Sequence, residues 1–192
     1  MASDTLFDGQ VVVQFTYSFL KDGAIEVDFT YTGRGQLPIL PRVGMLLSVD
    51  STLNQIKWYG PGPEPTYPDR SNERIGLYEA NIMENWVNYS QPQENGNKEA
   101  VRWLQVTNRK GQGIIIEGDE PFSGNIWPFS SDEVMSAKYD FHLKRNAYNY
   151  LFIDKVQMGV GGDSSWGATA HKQYLPRENR YQYTVRIAPF KR

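Results

Sequence analysis

Six carboxylates stand in or beside turns, Glu64, Asp69, Asp119, Glu120, Asp132 and Glu133. Close pairs invite a glycosidase reading, because a retaining enzyme needs two carboxyl groups facing each other across a sugar ring. Sequence neighbours do not meet that need. Adjacent strand residues point to opposite faces, and Asp132 with Glu133 falls in a first helical turn, where negative charge complements the helix dipole. His142 and His171 are the only histidines and cysteine is absent. A thiolate nucleophile is therefore excluded, a transition-metal site has too few strong ligands, and hydrogen bonding is the expected role of both rings.

Two segments hold more. Residues 61–70 read PGPEPTYPDR, where four prolines fix the backbone and can hold Glu64, Tyr67 or Asp69 in place, or simply make a stiff surface connection. Residues 158–166 read MGVGGDSSW, and Gly159, Gly161 and Gly162 permit tight or left-handed turns directly before Trp166. A dinucleotide loop would have to open a helix, and the polar residues after Gly167 show no helical face. A tryptophan at the tip of such a loop offers a flat apolar face suited to the C–H face of a hexose; the other reading folds it back into the core. Asp163 reads as a turn former rather than a sugar ligand, since Asp commonly bonds the backbone amide two residues on.

The elements that must position these segments are strands. Residues 11–20 alternate Val13, Phe15, Tyr17 and Phe19 with Gln14, Thr16 and Ser18, and Ile25, Val27, Phe29 and Tyr31 alternate with Glu26, Asp28, Thr30 and Thr32. Joined by Lys21-Asp22-Gly23, the two runs predict an antiparallel hairpin. Further strands are expected over 42–49, 55–59, 101–107, 113–117, 148–156 and 180–187, a spacing that describes a sandwich or barrel. One short helix is expected over 132–138, with Ser130 as its cap and Glu133 returning the bond as a capping box.

With 192 residues, 40% of them hydrophobic, 22% charged and 14% aromatic, the composition is that of a folded chain, and we expect one β-sandwich domain over 1–192. Lys and Arg total 20 against 22 for Asp and Glu, without a basic cluster, which argues against nucleic acid as a partner. No secretion signal and no apolar run of roughly 20 residues is present, so no membrane partner is expected, and a soluble chain in cytoplasm or periplasm fits equally.

Three blocks occur in order: WYGPGPEPTYPDR at 58–70, PQENGN at 92–97 followed by Arg102-Trp103, and MGVGGDSSW at 158–166. They resemble the C-terminal small-chain domain, the fifth domain, of lac-type β-galactosidases in glycoside hydrolase family two, and the resemblance extends to the closing strand at 181–187. It implies an all-β fold, a galactose-mutarotase-like β-supersandwich whose N-terminal part lies before this chain begins. It further implies that Trp166 reaches a sugar site borne on an upstream barrel and stacks near the substrate. Met158, Gly159, Gly161, Gly162, Asp163 and Ser165 would shape its loop. Where many relatives have Asp-Asp, this chain has Asp163-Ser164, so no role is carried over to Ser164. Both catalytic carboxylates, and the ligands of the family's magnesium and sodium, would lie on upstream domains, leaving this chain without catalytic residue, cofactor or metal site. Its partners would be a β-galactoside, those upstream domains with the barrel, and further copies in a homo-oligomer. Two other readings remain, a stand-alone carbohydrate-binding or structural module and an aldose mutarotase-like isomerase using His and Glu; the scarcity of histidine speaks against the second.

Overall fold

The period-two pattern of the first hairpin folds as expected. In the computed structural model, which describes residues 2–6, 9–164 and 167–192, strand β2 (Gly9–Phe19) pairs antiparallel with β3 (Ile25–Arg34), placing Phe15 opposite Phe29 and Tyr17 opposite Val27. Gly23 closes the turn at φ +84°, and the Asp22 side chain accepts a 3.1 Å hydrogen bond from the Ala24 N–H. These are the two reasons Asp-Gly suits a tight turn.

The other strands are β1 (Ala2–Leu6), β4 (Arg42–Asp50), β5 (Gln55–Gly62), β6 (Arg74–Asn81), β7 (Lys98–Thr107), β8 (Gln112–Trp127), β9 (Tyr148–Gln157) and β10 (Arg180–Lys191). They form one antiparallel sheet in the order β1-β2-β3-β10-β8-β7-β5-β6, with β9 on β8 and β4 on β9. The long strand β8 makes this possible. Residues 112–118 pair with β10 and residues 123–127 with β9, while β7 holds the opposite edge. Gly118 stands at the changeover, where a Cβ would fall 2.3 Å from the Glu120 carbonyl oxygen, so the bend requires glycine. Register breaks on both sides of Val101 in β7 add the local twist that bulges bring.

The sheet doubles back so that β4 and β9 face β3 and β10, and the Tyr183 hydroxyl crosses that interior to donate a 2.6 Å bond to the Ile153 carbonyl oxygen. Val27, Phe29, Val101, Ile116, Ile153 and Val185 are among the side chains buried between the layers. The all-β sandwich expected from sequence is what the chain forms. A smaller cluster joins Trp86, Trp127, Phe129, Val134 and Phe152.

Several details differ from expectation. The helix α2 spans Ser131–Ser136, and Ser130 Oγ accepts the Glu133 N–H at 3.2 Å; the Glu133 carboxylate, however, takes the Lys144 N–H instead of completing a box. The reciprocal box sits on the one-turn helix α1 (Ile82–Asn85), between Asn81 and Glu84. No helix among the described residues is long and apolar enough to cross a membrane.

On β2, Phe15, Tyr17 and Phe19 share the face of the buried Val27 and Phe29, yet they are 40%, 57% and 80% exposed. An apolar row of this kind promotes association. We expect the chain to show concentration-dependent self-association in sedimentation velocity, weakened by Phe19→Asp; a monomer at every concentration would contradict this.

Candidate functional site

The proline-rich segment is more than a surface connection, because Thr66 and Tyr67 are buried, at 0% and 2% exposure. Thr66 is locked to the second sequence block. Its N–H donates to the Asn97 carbonyl at 2.8 Å, its carbonyl accepts from Asn97 Nδ2 at 3.0 Å, and its hydroxyl accepts the Glu99 N–H at 2.8 Å. Asn97 Oδ1 in turn accepts from the Ser123 hydroxyl on β8. Asn95 fastens the same block elsewhere, its carbonyl accepting from Trp127 Nε1 at 2.9 Å and Asn125 Nδ2 at 2.8 Å. A short hairpin follows, Tyr67 and Arg70 exchanging backbone bonds of 3.0 and 2.8 Å, and it holds Asp69 at its tip.

Asp69 grips the third block. One carboxylate oxygen accepts the Val160 N–H at 3.1 Å, the other the Gly161 N–H at 2.7 Å. The glycines have a steric reason as well. A Cβ on Gly159 would lie 2.6 Å from Asp69 Cγ, one on Gly161 would lie 3.3 Å from Asp69 Oδ2, and one on Gly162 would meet the Ala168 carbonyl oxygen at 2.2 Å. The loop's entry is pinned by the Met158 N–H to the Pro41 carbonyl and the Gly159 N–H to the Tyr174 carbonyl, each at 2.8 Å. Asp163 meets the ring of His171 at 2.7 Å, on an exposed stretch. Ser165 and Trp166 lie outside the described residues.

The remaining carboxylates are spread over separate elements. Asp119 accepts the Thr184 N–H, Glu120 pairs with Lys155, Asp132 and Glu133 sit in the first turn of α2, and Glu64 is exposed. His142 packs edge-on against Tyr139 and Phe141. A cleft of about 370 Å³ lies against the glycine loop, lined in part by Glu64, Tyr67, Arg70, Tyr89, Gln93 and Val160. A larger concavity of about 920 Å³ on the outer face of β5, β6 and β7 contains no residue of that loop, so the smaller cleft is the one relevant to the three blocks.

Beneath them lies a charged cluster that sequence reasoning missed. Arg42, at the start of β4, donates to Glu94 at 2.5 Å and to Gln157 at 2.7 Å, and its guanidinium lies 4.2 Å from the Phe152 ring centroid. Glu94 also accepts from Tyr67 and Asn125. Asp154 is 1% exposed; its Oδ2 stands 3.6 Å from Arg42 Nη1, and neither atom has a hydrogen-bond partner among the described residues. Burial pushes the Asp154 carboxyl up to about 7, against the opposing pull of Arg42 and with the help of Glu94 and Glu99. Burial likewise raises Glu94 and Glu99, and lowers Lys98 to about 8. An acidic residue directly after the apolar run of 151–153, within one expected strand, was the available signal.

The raised carboxyl fixes a sign. Asp154 contributes stability that is fully present below its unfolded pKa near 3.8 and is lost as pH rises through about 7, with a slope of at most ~1.4 kcal/mol per pH unit. We expect Asp154→Asn to flatten the fall in urea midpoint between pH 4 and pH 8; an unaltered slope would show that Asp154 ionises normally.

The model of the family described as beta galactosidase small chain matches residues 2–187. A β-galactosidase of Priestia megaterium is 32% identical over 176 residues, which cover 91% of this chain and 17% of that protein. β-Galactosidase BgaC of Bifidobacterium adolescentis is 33% identical over 174 residues, 88% of this chain and 17% of its own length. A β-galactosidase of Vibrio vulnificus is 33% identical over 190 residues, 96% and 18% respectively. This chain thus spans under a fifth of the length of each of these relatives. Its match to the family model is nearly end to end, and the chain belongs to the β-galactosidase small-chain family.

Proposed function

We propose that this chain is one non-catalytic β-sandwich domain, part of a galactose-mutarotase-like supersandwich, in a retaining β-galactosidase acting on terminal β-D-galactosides. In this reading loop 158–166 completes the sugar site through Trp166. The observation that carries it is the clamp of Asp69 on Val160 and Gly161, which fixes the first half of the loop against a hairpin. A tryptophan side chain can cover the apolar face of a galactoside while polar groups elsewhere orient its hydroxyls.

Retaining hydrolysis needs an acid/base carboxyl and a nucleophilic carboxylate about 5 Å apart. We assign both to the upstream barrel, because the candidate carboxylates of this chain serve turns, a helix terminus and ion pairs. The magnesium and sodium implied by the family are assigned upstream too. Among the described residues no group of three or more His, Asp or Glu side chains is placed to hold a metal ion, and no step is derived through either ion. The further partners in this reading are those upstream domains and other copies of the enzyme.

Kinetics of nitrophenyl-β-galactoside hydrolysis test the reading. In the intact enzyme Trp166→Ala should lower kcat/KM by about tenfold or more, some 1.4 kcal/mol of transition-state stabilisation, with the fold unchanged. This chain alone should release no nitrophenol. Unaltered kinetics of the variant, or turnover by the isolated chain, would overturn the assignment.

A further inference from the structure

We propose that Asp69 is a positioning residue for galactoside binding: without touching the sugar, it sets the affinity of the site by holding the loop that carries Trp166. The inference rests on the reading of Trp166 given above.

Three observations support it. The two oxygens of one carboxylate each take a backbone N–H from consecutive residues, Val160 and Gly161, an arrangement of charge-assisted bonds stronger than neutral ones. The acceptor cannot drift, since Asp69 sits between Tyr67 and Arg70, which bond each other in both directions, and Tyr67 and Thr66 are buried. The loop is also shaped to this carboxylate, because any side chain at Gly159 would strike it at 2.6 Å. Farther along, Asp163 and His171 are both open to solvent, whereas Asp69 fixes the backbone at Val160 and Gly161 from a buried hairpin.

If the clamp is lost, the loop samples other arrangements, and apparent affinity falls by the fraction of time the competent one is absent. Loss of a contact made equally to ground and transition states raises KM and leaves kcat in place. A residue that merely stabilised the fold would lower the thermal midpoint and the active fraction without moving KM.

The test uses the intact β-galactosidase carrying Asp69→Ala, Asp69→Asn, Gly159→Ala and Trp166→Ala, with Asp69→Ala also combined with Trp166→Ala, and nitrophenyl-β-galactoside as substrate. Asp69→Ala should raise KM about three- to tenfold with little change in kcat, and Asp69→Asn, which keeps one acceptor oxygen, should restore part of the loss. In the Trp166→Ala background, Asp69→Ala should add less than about twofold, because both act through the same ring. Gly159→Ala pushes the carboxylate away from the other side and should raise KM in the same way, which covers the case in which Asp69→Ala fails to fold. A normal KM in Asp69→Ala or Gly159→Ala, or a full additional loss in the double variant, overturns the role of Asp69 while leaving that of Trp166 standing. Unaltered kinetics of Trp166→Ala overturn the reading beneath both.

Discussion

The guanidinium of Arg42 is the point on which this architecture turns. Burying carboxylates is costly unless a cation and hydrogen bonds compensate, and Glu94 and Asp154 both stand beside Arg42. Through Glu94 the arginine reaches the loop of the second block; through Asp154 and Gln157 it reaches β9 just before the glycine loop. Its flat face rests on Phe152 and approaches Trp127, so the same group seals the smaller aromatic cluster. A lysine there would offer a point charge without the fork or the face.

Around that cation, three separated stretches of sequence become one object. Thr66 and Asn97 tie the proline segment to the loop before β7, and Asp69 ties it to residues 160 and 161. Each stretch is irregular backbone with few partners of its own, and each supplies what another lacks: buried amides, a carboxylate, or glycines narrow enough to admit it. The presence of all three blocks in one chain thus has a physical basis in their mutual hydrogen bonds.

What could be read from sequence follows from how each element is covered. The hairpin of β2 and β3 was legible because one side of β3 is buried and the other only half-buried, which writes alternation into it. The second half of β8 was not, since residues 122–127 are all buried and carry Ser123, Gly124 and Asn125 among the apolar ones, leaving no period to detect. Edge strand β6 was missed for the opposite reason, having no fully buried residue and being interrupted by Gly76. The glycine loop announced itself by its spacing, yet its anchor did not. Asp69 lies 91 and 92 residues from the amides it holds, a distance across which a single sequence carries no signal.

Strand β10 has a consequence for how the polypeptide is made. It occupies the middle of the sheet, between β3 and β8, and supplies Tyr183 and Val185 to the interior, but it comprises residues 180–191. Synthesis proceeds from the N-terminus, so β3 and β8 emerge from the ribosome with the edges that β10 will cover still bare. Thr184 must then find Asp28, 156 residues back, and Arg186 must find Asp22, 164 residues back. Such long-range pairing is slow and exposes open strand edges meanwhile. The core therefore cannot close until residues 180–191 have been made, and until then β3 and β8 carry edges open to pairing elsewhere.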